Sequence, residues 1–153
     1  MKYLILAAFF FAFASCGAAN EPKLKDITGK YQLLIPDKTS RVQSGEVYLD
    51  TDGQPQLTID GLDIDVELKT PDSKGMVASY EFSPTECKEE ETPCSQVDKV
   101  EVYLLQVKNR DGRLLPLLAL KVWESLFKGK MSGSQPIYDA IQTKYMLLWN
   151  APM

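Results

Sequence analysis

The stretch "LDIDVELK" at residues 62–69 constrains the fold more than any other part of the chain. Leu62, Ile64, Val66 and Leu68 alternate without a fault with Asp63, Asp65, Glu67 and Lys69. Successive side chains of a strand point to opposite faces, so the pattern calls for a strand with one dry and one wet side. The alternation recurs in Tyr31, Leu33 and Ile35, in Val47 and Leu49, in Leu57 and Ile59, and in Met76, Ala78, Tyr80 and Phe82. Between these runs lie "DTDGQP" (50–55), "DG" (60–61) and "PDSKG" (71–75). Glycine at such places supplies the positive φ that tight hairpins need. Short alternating strands joined by tight turns predict a meandering antiparallel sheet.

The second half is more apolar. "VDKVEVYLLQVKNRDGRLLPLLALKVW" (97–123) reads as the longest hairpin, turning at 109–112, with both faces of its arms covered. Pro116 has no N–H to give a ladder, which predicts an edge or a bulge there. The segment 116–129 also satisfies helix boundary rules, with proline first and Gly129 last. The turn at 109–112 demands a returning partner, so strand is the preferred reading through Trp123. Residues 137–149 are open to either reading, with Tyr145, Leu147 and Trp149 spaced to close a sheet as its last strand. The expected fold is therefore mainly β. It is a single antiparallel up-and-down barrel or a two-layer β-sandwich, of about eight strands.

The N-terminus carries an address. Lys2 is followed by an uncharged apolar run over 3–14. That run is short of the about 20 residues a spanning helix needs, and it has the form of a secretory signal peptide. Gly17 and Ala19 would suit a conventional cut before Asn20. Alternatively "FASC" (13–16) resembles the lipobox of bacterial lipoproteins, with Ala14 and Ser15 as the small pair before Cys16 and Phe13 where leucine is usual. The resemblance implies that Cys16 is acylated and becomes the mature N-terminus. The protein would then be anchored in the cell envelope, facing the periplasm from the outer membrane, since Gly17 is not an acidic retention signal. The division that follows is a signal peptide at 1–15, a lipidated cysteine and tether at 16–26, and one β domain at 27–153. Gly29, Lys30 and Tyr31 resemble the glycine–any–tryptophan signature that opens lipocalin-like barrels. That likeness implies an eight-stranded cup with a ligand cavity.

The chain has three cysteines, and an odd one in an exported protein needs its own explanation. Cys87 and Cys94 lie close enough in sequence to pair, which leaves Cys16 for the lipid. They stand within "TECKEEETPCSQ" (85–96), where Glu86, Glu89, Glu90 and Glu91 make a candidate partner-binding loop.

Several classes of chemistry fall away. There is no histidine, so serine–histidine and cysteine–histidine mechanisms are excluded and the commonest metal ligand is missing. Two cysteines with six residues between them do not fit zinc spacing. "DTDG" (50–53) echoes a calcium loop but has no bidentate glutamate at the twelfth position, so it reads as a hairpin turn. Asp63 and Asp65, spaced as on one strand face, invite a glycosidase reading. Polar positions opposite an apolar face are solvated by default, and they read as solvated. Trp123 and Trp149 read as core. The net charge of −4 argues against a nucleic-acid partner. No cofactor and no metal are indicated. The expected function is a lipid-anchored envelope binding module without a catalytic site, taking a small apolar ligand or a protein partner. The alternative is an inhibitor of secreted or periplasmic proteases.

Overall fold

The computed structural model describes residues 23–83 and 93–150. The chain enters through a 3₁₀ turn, Leu24–Ile27, and then forms β1 (Gly29–Leu33), β2 (Ser44–Leu49), β3 (Pro55–Ile59), β4 (Ile64–Glu67), β5 (Met76–Glu81), β6 (Cys94–Lys108), β7 (Leu114–Ser132) and β8 (Gln135–Asn150). All eight belong to one sheet in the order β4-β3-β2-β1-β8-β7-β6-β5, and every pairing is antiparallel. The first strand meets the last, with Tyr31 opposite Trp149. The sheet thus curls into a nearly closed barrel of eight up-and-down strands. Its seam lies between β4 and β5, where the N–H of Lys69 donates to the carbonyl of Val77 at 2.7 Å.

The period-two pattern dictates which side is dry. Tyr31, Val47, Leu57, Ile59, Ile64, Val66, Val100, Val102, Leu118, Leu120, Val122 and Leu147 belong to one buried cluster. Leu62 and Leu68 are buried with them, while Asp63, Asp65 and Glu67 are exposed. The regular strand is shorter than the alternation, however. Leu62 and Asp63 lie in the β3–β4 turn, and Asp63 holds a φ of 51°. Asp63 and Asp65 therefore do not share a strand face.

Three hairpin turns at one end of the barrel are built alike. Asp50, Asp72 and Asn109 each donate their own N–H to the carbonyl four residues on, at Gln54, Met76 and Arg113. Each side-chain oxygen accepts from the N–H groups two and four residues ahead, at 2.8–3.0 Å. In each, the glycine at the third position after it (Gly53, Gly75, Gly112) has φ near +80°. The "DTDG" segment is accordingly a turn capped by its own aspartate.

The opposite end is less regular. β7 and β8 stay paired to Ser132 and Gln135, beyond the reach of β6, whose last partner is Phe127 opposite Cys94. A two-stranded ribbon therefore projects from the barrel. Both ambiguous segments are strand, and β7 continues well past Trp123. Pro116 sits in β7 opposite Gln106, but ahead of the first β7–β8 pair, Leu117 with Leu148. Its missing N–H falls where only one ladder has formed. Three local expectations fail, one of them at Tyr80, which is 40% exposed on β5. Ile35 is 78% exposed because β1 ends at Leu33 ahead of Pro36, and Leu49 is exposed at the end of β2. A bulge between Met76 and Ala78 also turns Val77 into the core.

Candidate binding surfaces

The inward faces of the described strands carry one continuous cluster of buried apolar side chains. Tyr31 reaches across the barrel floor with no exposure, its hydroxyl donating to the carbonyl of Ile27 at 2.6 Å. Burial pushes this phenol well above the ordinary tyrosine range. Ile27 is itself buried and Leu24 packs against the cluster, so the 3₁₀ turn stoppers the end that carries the three matching hairpins. Trp149 is half-buried beside it, donating through Nε1 to the carbonyl of Thr28 at 3.3 Å.

The other end is latched by an ion pair. The long connection between β1 and β2 buries Val42 completely and brings Arg41 to Glu124 on β7, with Nε 2.7 Å from the carboxylate. The same guanidinium donates to the hydroxyl of Ser95 on β6 at 2.7 Å. Arg41 thereby ties the connecting loop to two strands that start far from it in sequence.

The outer wall separates charge. Residues 44–67, which supply β2, β3 and β4, contain Glu46, Asp50, Asp52, Asp60, Asp63, Asp65 and Glu67 and no basic residue. Residues 99–144 contain eight basic residues against four acidic ones. On the acidic half, a shallow groove of about 670 Å³ runs across the outer faces of β1 to β4. Lys30, Glu46, Thr58 and Asp65 follow one another across the four strands, with Gln32, Ser44 and Asp60 alongside and Tyr48 on the same lining. The Thr58 hydroxyl donates to Asp65 at 2.6 Å and the Ser44 hydroxyl to Asp60 at 3.4 Å. A smaller hollow of about 330 Å³ lies at the seam, lined by Glu67, Lys69, Asp72 and Met76 among others.

The other half of the wall mixes basic, aromatic and apolar groups. Leu105, Leu117 and Leu148 align across β6, β7 and β8, and the next row is Tyr103, Ala119 and Met146. Beyond it come Glu101, Lys121 and Lys144, then Lys99, Trp123 and Gln142. Glu101 accepts from Tyr103 at 2.6 Å and pairs with Lys99 at 2.9 Å, and these two bonds hold its carboxyl below the usual range. The Lys121 ammonium lies 4.8 Å from the centre of the Tyr103 ring, and that of Lys99 lies 5.4 Å from the centre of Trp123. Trp123 is thus a wall residue under a lysine, not part of the core cluster. Its strand parity reads that way, since Val122 is the neighbour that faces in.

The remaining expected sites divide simply. Cys16, Cys87, Glu86, Glu89, Glu90 and Glu91 lie outside the described residues, while Cys94 opens β6 opposite Phe127. Among the described residues, no group of three or more cysteine, aspartate or glutamate side chains is placed to hold a metal ion, and no helix is long and apolar enough to cross a membrane. Sequence reasoning missed the Arg41 latch, which leaves no local pattern. It also missed the charge separation, which a count of charges by segment would have revealed.

These features define a nearly closed eight-stranded up-and-down β-barrel with a buried apolar cluster inside and a charge-divided wall. No protein-family model matches the chain, and comparisons with curated proteins and with solved structures give no significant match.

Proposed function

We propose that the protein is a lipid-anchored binding module of the bacterial cell envelope that engages a protein partner through its outer surface. The observation that carries this reading is the groove of about 670 Å³ on the outer faces of β1 to β4, set against inward faces that carry one buried apolar cluster. The partner would meet the groove around Tyr48, where Glu46, Asp60 and Asp65 favour a basic surface. Export and acylation at Cys16 supply the setting, and a Cys87–Cys94 disulfide would stiffen the acidic segment 86–91. On this reading the module works by binding, and the absence of histidine removes serine–histidine and cysteine–histidine catalysis.

A photo-reactive side chain at Tyr48, introduced in the native host, should cross-link one discrete protein. The same group at Ser79, outside the groove, should not. Native mass spectrometry of protein purified from its own envelope tests the carrier reading directly, because a co-purifying apolar ligand would overturn the protein-partner assignment.

The place of Cys94, at the start of β6 and the base of the projecting ribbon, also favours a second reading, inhibition of secreted proteases by the segment that precedes it. Equimolar protein that leaves serine, cysteine and metallo-proteases of the same compartment fully active would remove it.

A further inference from the structure

The wall formed by β6, β7 and β8 has a composition that neither the core nor the acidic groove explains. Leu105 and Met146 are each 38% exposed on it, Leu114 is 54% exposed at its lower rim, and Leu34 is 49% exposed beside Met146. Leu117 points outward yet is buried, with Leu105 and Leu148 opposite it on the two neighbouring strands. Lys121 and Lys144 face each other directly above this apolar band, and Lys108 and Arg113 flank the turn below it. Like charges set opposite one another across a ladder are unfavourable on their own account. Contiguous apolar surface rimmed by basic groups marks an interaction site.

We propose that this wall docks on an anionic lipid surface. Three features of the wall fit that occupant. Apolar side chains bordered by lysines match the boundary between acyl chains and negatively charged headgroups, where long lysine side chains reach back to the charge. Tyr103 and Trp123 sit among those lysines, and such rings settle at membrane interfaces with one end dry and one wet. The half of the barrel carrying the seven carboxylates of 44–67 would be repelled, so the surface selects one orientation. The chain's course agrees with this. Lys23 precedes the 3₁₀ turn that stoppers the same end as the 109–112 hairpin, and the seven residues from Cys16 can span at most about 25 Å. The setting rests on the envelope-anchored reading above, whereas the affinity of the wall does not depend on an acyl chain.

The chain from Gly17 onward tests the wall alone, because it keeps every described residue and carries neither lipid nor apolar leader. It should co-sediment with vesicles of phosphatidylglycerol and phosphatidylethanolamine, less so as salt is raised, and not with phosphatidylcholine. Each lysine near an anionic surface contributes about fivefold in affinity, so Lys121→Gln with Lys144→Gln should weaken binding about thirtyfold. Leu105→Ser with Met146→Ser should also weaken it, with the β-sheet circular dichroism of both pairs unchanged at the assay temperature. Glu46→Gln with Asp65→Asn should leave it intact. Absence of binding, equal binding to phosphatidylcholine, or an equal loss in the groove variant would overturn the proposal, as would a soluble protein cross-linked to this wall in intact cells. The anchor is read separately by the mass of the mature N-terminus. An unacylated chain that still binds anionic vesicles removes the anchor and keeps the wall, and an acylated chain with inert wall variants does the reverse.

Discussion

The indole of Trp149 occupies the space that a side chain at Gly29 would need. A Cβ built on Gly29 stands 2.6 Å from the indole nitrogen, and the residue holds a φ of 137° that other L-residues rarely adopt. The contact joins the first strand to the last, which lie side by side in the middle of the sheet. Gly29→Ala should therefore cost about 2 kcal/mol, from backbone strain together with displacement of the ring. Thermal unfolding should show a fall in Tm of about 7 °C. An unchanged Tm would mean that the indole is free to move aside.

Arg41 and Glu124 form the latch at the opposite end, and their side chains are 36% and 13% exposed. The partial exposure of Arg41 screens the pair, so Arg41→Ala should cost only about 1 kcal/mol of global stability. The local effect should be larger, because Val42 and the β1–β2 connection depend on the same residue for position. Hydrogen exchange should accelerate at 37–43 and remain slow in β6 and β7.

The turn aspartates give the barrel an acid-sensitive end. Hydrogen bonds from the Gln54 N–H to Asp50, and from the Met76 and Lys74 N–H groups to Asp72, hold both carboxyls below their ordinary value. A carboxyl with a depressed folded pKa contributes stability above its unfolded value of about 3.9 and loses it as pH falls towards the folded one. Asn109 performs the same capping at the third turn without titrating. The double variant Asp50→Asn, Asp72→Asn should thus keep its stability at neutral pH and decline less steeply between about pH 4 and pH 2. Urea unfolding at a series of pH values measures both slopes. Parallel curves for variant and wild type would refute the assignment.

Tyr31 responds to the other extreme of pH. Its phenol is buried and its folded pKa is raised, so its stabilising contribution is whole below about pH 10 and is lost as pH climbs beyond that. In an alkaline titration followed by absorbance, one tyrosinate signal should appear only with unfolding. Tyr31→Phe should abolish that signal and cost about 1 kcal/mol, because the Ile27 carbonyl loses its donor.

Much of the architecture was legible in the chain, for a physical reason. A barrel this small has one dry face, and period two exposes that face directly at Leu62, Ile64, Val66 and Leu68. The hairpins were equally plain, because Asp50, Asp72 and Asn109 each announce a turn closed by a glycine three residues on. Residues 116–148 were harder. Apolar side chains lie on both sides of β7 there, Leu118 inside and Leu117 outside, so helix and strand patterns coincide. The surfaces were harder again. Arg41, Ser95 and Glu124 meet only after the sheet has curled, and Trp123 is recognisable as a wall residue only once Val122 is known to face in. The charge-divided wall is different, because its two halves are already separate in the sequence.

Cys94 begins β6 opposite Phe127, at the base of the projecting ribbon. Phe127 is buried although it stands apart from the main core cluster, and its ring centre lies 5.7 Å from that of Tyr138. A bond from Cys87 to Cys94 would close a loop of eight residues and restrict the unfolded chain by about 2.5 kcal/mol in the chain-entropy treatment. Cys87→Ser should therefore lower unfolding free energy by up to that amount, with the barrel still formed. The same loss should follow when reductant is added to the wild type, and reductant should then have no effect on the variant. Thiol titration of protein taken unreduced from the envelope gives the complementary reading, since a bonded pair leaves neither residue reactive. Two reactive thiols, or a wild type indifferent to reductant, would show that the pair is not bonded.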